Sequence, residues 1–94
     1  MPVVGLLSIE IHVPGARSLK DKRTVLRSAK DRLRRLNVSV AEIDHQSLRQ
    51  RCRLGVAAVG VTQTGVERSL QAVVEEIERH DPGLIVATDL EWLA

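Results

Sequence analysis

The first segment of the chain alternates apolar and polar residues with the two-residue period of a β-strand. One face collects the larger apolar side chains: Leu7, Ile9, Ile11 and Val13. The other face collects the polar ones: Ser8, Glu10 and His12. We predict a strand over residues 3–13, which Pro14 and Gly15 bring to an end.

The next segment changes to the three-to-four-residue period of an amphipathic helix. Ser18 is suited to cap the first turn, and Asp21 three residues later makes a start that resembles a capping box. The apolar positions are Leu19, Val25, Leu26, Ala29, Leu33 and Leu36. We predict a helix from Ser18 to about Leu36 that stops at Asn37.

The rest of the chain repeats these two patterns. Residues 38–44 and 52–61 are predicted as strands, and the second of them is so apolar that it is expected in the middle of the sheet. The apolar stripe of a helix predicted at about 64–80 is Val66, Leu70, Val73, Val74 and Ile77. Asp81, Pro82 and Gly83 end this helix, and residues 84–93 form the last predicted strand.

The resulting order is βαββαβ in 94 residues, which predicts one domain over 1–94. This order is typical of the ferredoxin-like α+β sandwich, with a four-stranded antiparallel sheet in the order 4-1-3-2. Right-handed crossovers place both helices on one face of the sheet. Trp92 is the only aromatic residue, so the core must consist of Val, Leu, Ile and Ala.

Positive charge is concentrated in the first helix. Residues 17–36 hold nine basic and two acidic residues, a net charge of +7 in a chain whose net charge is +2. Five of the cations form a stripe along one flank: Lys20, Arg23, Arg27, Lys30 and Arg34. Such a stripe fits a nucleic-acid backbone. The alternative is a solvated face that pairs with the acidic residues of the second helix, which are Glu67, Glu75, Glu76 and Glu78.

Lys22 lies near the middle of the apolar side of the same helix. We expect its side chain to lean toward the N-terminal end and to carry its ammonium past the sheet edge into water. The alternative is that the ammonium reaches a buried carboxylate or the anion of a ligand. The two interpretations differ in whether the ammonium of Lys22 lies in water or next to a buried anion.

Strand polarity brings several charged and polar loop residues to one rim of the predicted sandwich. These rim residues are His12, Arg17, Lys22, Asp44, His45, Arg49 and Arg51. A helix N-terminus beside Arg17 predicts an anion site, whereas the alternative is that polar residues simply collect at loop ends. No metal site is predicted, because His12, Asp44 and His45 lack the spacings that enforce one.

No cofactor and no enzymatic activity are expected. Acylphosphatases share the predicted fold and use an arginine near the first loop with an asparagine, but Asn37, the only asparagine, falls at the rim opposite Arg17. Cys52 begins an Ala/Val-rich strand and is expected to be packed rather than reactive. Base stacking on the open sheet face is excluded, because strands one and three carry no aromatic residue.

The chain is expected in the cytoplasm. It has one cysteine, no apolar run of the roughly 18 to 20 residues that span a bilayer, and no basic start typical of a signal peptide. Eleven of its fourteen basic residues are arginine, which is typical of a GC-rich or heat-adapted source.

The runs VVGLLSIEIHVPGARSLKDKR and NVSVAEIDHQ, with the strand LGVAAV, resemble the YlxP-like family of small bacterial proteins of unknown function. The resemblance implies a ferredoxin-like domain without an established activity, often encoded among translation and ribosome-maturation genes. Together with the basic helix it favours a non-enzymatic accessory that binds structured RNA or a ribosomal particle. The alternative is a small-ligand or protein-interaction module that forms a homodimer through the open sheet face.

Overall fold

The alternating N-terminal segment is the first strand of the computed structural model, which describes residues Met1–Ala94. Two helices and four strands follow the predicted order: β1 (Val3–His12), α1 (Leu19–Leu33), β2 (Ser39–Asp44), β3 (Arg51–Gly60), α2 (Gln63–His80) and β4 (Ile85–Trp92). The strands form one antiparallel sheet in the order β2-β3-β1-β4. The predicted ferredoxin-like fold is therefore confirmed, since this is the order 4-1-3-2 counted from the other edge.

β1 and β3 are the central strands. Their register runs from Val3 opposite Gly60 to His12 opposite Arg51. β4 pairs with the other side of β1, and its register shifts between Glu10 and Ile11. β2 and β4 are consequently the two edges of the sheet.

The core lies between the helices and one face of the sheet. Each central strand turns every second side chain into this layer, where the fully buried residues include Ile9, Leu54, Val56 and Cys52. From α2, the predicted stripe is buried at Val66, Leu70, Val73 and Ile77. The core contains no aromatic ring except the partly buried Trp92, as the composition required.

α1 begins as predicted but ends early. Ser18 caps it by accepting a hydrogen bond from the backbone N–H of Asp21 at 3.1 Å. The helix stops at Leu33 rather than near Leu36, because the chain must reverse there to enter β2. The N–H of Leu36 bonds to the carbonyl of Leu33, and the Leu36 side chain packs against the core from this turn.

No helix of the chain is both long enough and apolar enough to cross a lipid bilayer.

Candidate nucleic-acid interface

The basic stripe predicted from the sequence lies along the solvent side of α1. It consists of Lys20, Arg23, Arg27, Lys30 and Arg34. Four of the five side chains are exposed, Arg34 to 81%, and Lys30 is half-buried. At about 1.5 Å of rise per residue, the stripe from Lys20 to Arg34 is about 21 Å long.

The stripe is almost free of acidic partners. Its only ion pair joins Arg34 to Asp31 one turn earlier, with 3.5 Å between the guanidinium and carboxylate atoms and both side chains exposed. The other four cations have no carboxylate within 4.0 Å. An isolated exposed pair contributes little to stability, so nearly all of this charge remains available to an external anion.

Other arginines make the contacts between the helices that the sequence suggested for the stripe. Arg32 bonds to Asp81 at 2.7 Å, and Arg35 lies 3.7 Å from the carboxylate of Glu76. Glu76 is buried and also faces Arg79 and His80. Ion pairs between the two helices, which the alternative interpretation required, therefore exist. They are formed by Arg32 and Arg35 rather than by the basic stripe, and Glu76 is also paired within its own helix.

A groove runs between the stripe and the edge strand β2. Its volume is about 290 Å³. The lining residues are Arg23, Leu26, Arg27, Lys30, Asp31, Arg34 and Glu42. Four members of the basic stripe thus share one concave surface with only two carboxylates.

Lys22 is wholly buried, and the expectation that its ammonium reaches water past the sheet edge is wrong. Its side chain is 1% exposed and its Nζ lies 3.1 Å from Oε2 of Glu42 on β2. The ammonium also donates to the carbonyl oxygens of His45 and Arg51, at 2.9 and 3.2 Å, and lies 3.4 Å from that of Gln46. A buried ammonium needs such partners, because leaving its charge unpaired away from water is very costly. The structure instead contains the alternative arrangement, in which the ammonium reaches a buried carboxylate oxygen, that of Glu42.

Lys22 therefore holds the segment between β2 and β3, residues 45–50, which we call the β2–β3 loop. His45 begins this loop with a φ of 65°, in the left-handed region, and its N–H bonds to the carboxylate of Asp44. Three further hydrogen bonds tie the loop to the segment just before α1. The amide of Gln50 donates to the carbonyls of Pro14 and Ala16, and the guanidinium of Arg49 donates to that of Arg17.

The rim residues divide into separate groups. The guanidinium of Arg49 donates to the backbone carbonyl of Arg17. Neither Arg17 nor His12 forms an ion pair. The carboxylate of Asp21 accepts a hydrogen bond from the N–H of Arg17 at 2.9 Å, so an anionic group already lies at the start of α1. The predicted anion site at this end stays a prediction. No three His, Cys, Asp or Glu side chains lie together in a way that could hold a metal ion.

A cluster on the open sheet face contains two residues that the sequence interpretation missed, Glu10 and Arg53. The two oxygens of Glu10 face the guanidinium groups of Arg53 at 2.5 Å and Arg51 at 3.8 Å, and the imidazole of His45 at 3.4 Å. Burial alone would raise the pKa of Glu10, but the hydrogen bond and charge of Arg53, with His45, outweigh it and lower the pKa below its ordinary 4.5. The signal was the register, because Glu10 lies directly opposite Arg53 on β3.

The remaining open face is more apolar. Val59 is 62% exposed, and Ile43 packs across Gly55 with 46% of its surface exposed. The homodimer expected through this face stays a prediction. On the helix side, Cys52 is fully buried, and burial and the Glu42 carboxylate raise the pKa of its thiol to about 12, so the thiol is packed in the core in its protonated form.

Comparison of the sequence with known proteins places the chain in a family. A family model with the description "Protein of unknown function (DUF503)" matches residues 4–90. The chain belongs to this family. Among the relatives of this DUF503 chain is the "Uncharacterized protein YlxP" of Bacillus subtilis (strain 168), 34% identical over 91 residues, which are 96% of this chain and 99% of the relative. The resemblance predicted from the sequence is thus confirmed.

Solved structures agree with the fold of the DUF503 chain. The de novo designed protein Foldit4 superposes with a TM-score of 0.60 at 14% identity, over 100% of this chain and 98% of that one. The de novo designed protein Ferredog-Diesel gives a TM-score of 0.54 at 18% identity, over 94% and 83%. At such identities the likeness shows the fold alone.

Proposed function

We propose that this DUF503 chain binds the phosphate backbone of structured RNA through the basic stripe and is not an enzyme. The observation that carries the proposal is the absence of acidic partners around Lys20, Arg23, Arg27 and Lys30, although acidic residues are plentiful on α2. Cations whose only role is to keep a helix soluble need not lie apart from carboxylates. Exposed cations along about 21 Å of helix match a ligand with regularly spaced negative charges.

The composition of the surface favours contact with the backbone over the reading of bases. No Phe or Tyr is present, and Trp92 is half-buried at the end of β4, so no platform for base stacking exists. Three of the five stripe residues are arginine, whose planar guanidinium binds phosphate in a bidentate manner. The choice of RNA over other polyanions rests on the YlxP-like resemblance, which implies genes encoded beside those for translation.

The salt dependence of binding tests the proposal. We expect affinity for a structured RNA to fall steeply with salt, and the triple variant Arg23→Gln, Arg27→Gln, Arg34→Gln to flatten the log–log slope by roughly one unit for each arginine–phosphate interaction that it removes. The fold should survive, because Arg23 and Arg27 make no ion pair and the exposed Arg34 pair contributes about 0 to 1 kcal/mol. Filter binding at several salt concentrations and a melting curve measure both.

A charge-matched control separates the stripe from net charge. Arg68→Gln removes an exposed arginine of α2 that forms no ion pair, and it is compared with the matched single variant Arg27→Gln of the stripe. The proposal expects the Arg68 control to keep the wild-type slope. Equal weakening by Arg68→Gln and Arg27→Gln, or no RNA binding by the wild type, would contradict it.

A further inference from the structure

The edge of the sheet far from the basic stripe carries a second surface that RNA binding does not use. β4 is the outer strand there, and its outward backbone groups have no partner strand. On β1, Val4 and His12 bond across to residues at the two ends of β4. Since hydrogen-bonded positions alternate along an antiparallel ladder, the N–H and C=O groups of Thr88 and Leu90 point outward.

A groove with an apolar floor lies beside this edge on the helix side. Its volume is about 490 Å³ between β4 and α2. Leu7 and Leu70 form its buried floor, and Val74 and Leu90 form the apolar part of its walls, with Leu90 38% exposed. The rest of the lining is polar: Thr64, Glu67, Arg68, Gln71 and Thr88. An extended chain added to β4 would turn every second side chain into this groove, which is the arrangement of peptide recognition by strand addition.

The other face of the same edge is acidic. Asp89 and Glu91 lie opposite Ser8 and Leu6 of β1, on the open face of the sheet, and neither forms an ion pair. A strand paired with β4 would place its remaining side chains next to these two carboxylates. Opposite charges at such cross-strand positions stabilise pairing, and like charges oppose it.

The same carboxylates disfavour a second copy of β4 as the partner. In antiparallel self-pairing centred on Thr88, Asp89 or Leu90, the carboxylate of Asp89 lies diagonal to or directly opposite a carboxylate of the other copy. Edge strands commonly carry charge that prevents pairing with themselves. The occupant that fits must therefore bring positive charge.

We propose that β4 and the groove beside α2 bind an extended segment of a partner protein in which apolar and basic residues alternate. The apolar side chains enter the groove lined by Leu70, Val74 and Leu90. The lysine or arginine side chains contact Asp89 and Glu91 on the open face. The outward groups of Thr88 and Leu90 supply the backbone hydrogen bonds.

A blocked heptapeptide of alternating lysine and valine is the probe. Titration into the isotopically labelled protein is expected to shift the amide NMR signals of Thr88 and Leu90 and those of the groove residues of α2. The same peptide with glutamate for lysine, and one N-methylated at alternate peptide nitrogens, should each bind at least tenfold more weakly. Equal binding of all three peptides would overturn the proposal, as would shifts confined to β2 or no shifts at millimolar peptide.

Charge exchange gives the sharper test. The double variant Asp89→Lys, Glu91→Lys should bind the lysine peptide at least tenfold more weakly than the wild type and should bind the glutamate peptide more tightly. The milder Asp89→Asn, Glu91→Gln should weaken the lysine peptide without that gain. The control Asp31→Lys, Glu75→Lys, with the same change in net charge on the exposed helix surfaces, should leave the binding of both peptides near that of the wild type. An unchanged preference in the β4 variants would overturn the proposal. So would a dimer in the peptide-free protein with the amides of Thr88 and Leu90 protected from exchange.

Discussion

Replacing Lys22 with methionine tests how the buried ion pair supports the fold. Methionine keeps most of the length of the side chain but removes the ammonium, which leaves the buried Oε2 of Glu42 without its cationic partner. The carbonyls of His45 and Arg51 lose their donor at the same time. Breaking a buried pair by removing one member generally costs about 3 to 5 kcal/mol.

We expect a value near the lower limit, about 3 kcal/mol, because Glu42 is 19% exposed and can be rehydrated in part. That loss is a large fraction of the roughly 5 to 15 kcal/mol by which domains are stable. For a chain of this size it lowers Tm by about 12 to 24 °C. The β2–β3 loop should also lose order, because the carbonyls of His45 and Gln46 at its start and of Arg51 just after it no longer share one donor.

Urea unfolding followed by circular dichroism measures the cost, and hydrogen exchange measures the order of the loop. The double variant Lys22→Met, Glu42→Met should recover most of the lost stability, since replacing a whole buried pair by apolar groups is often neutral. The control Lys30→Met removes a half-buried cation without an ion pair and should cost less than about 1 kcal/mol. A single variant as stable as that control, or a double variant as unstable as Lys22→Met, would refute the reasoning.

Two further predictions concern titratable groups in the fold. The pKa of Glu10 is lowered in the folded chain, so this group contributes stability above its ordinary value of 4.5 that is lost as the pH falls through the lowered value. Glu10→Gln should therefore be less stable than the wild type at pH 6, and it should lose less stability than the wild type does between pH 4.5 and 3. Parallel curves of Tm against pH for the two proteins would contradict this. Because Cys52 is fully buried and the pKa of its thiol is raised to about 12, a disulfide reagent at pH 8 should label it no faster than the protein unfolds; rapid labelling under native conditions would contradict this.

The sequence predicted what depends on periodicity and left open what depends on pairing. Element order, sheet order and the exposed stripe of α1 all follow from the spacing of apolar residues. The Glu10–Arg53 pair was missed because it requires the register between β1 and β3. The end of α1 was placed too late because Leu36 continues the apolar spacing from a turn.

Lys22 shows that part of the missing information was present. Glu42 shares a face of β2 with Val40, and that face points toward the helices. An acid and a base that both occupy apolar faces of neighbouring elements together predict a buried pair, whereas each alone looks like an exception. The β4 surface had no comparable signal, because the groove depends on how far α2 lies from the edge strand.

The distribution of charge across the sheet makes the molecule strongly dipolar. α1, with its positive charge, lies over the side of the sheet near β2, whereas the unpaired carboxylates of β4 lie at the far edge. A net charge of +2 conceals this separation. For the proposed binding to a polyanion, this separation predicts a torque as well as an attraction, so that the molecule rotates before contact. Screening would confine this rotation to the last ~8 Å of approach at physiological salt. The two proposals together then expect an encounter with α1 in front and with β4 directed outward, still accessible from solution.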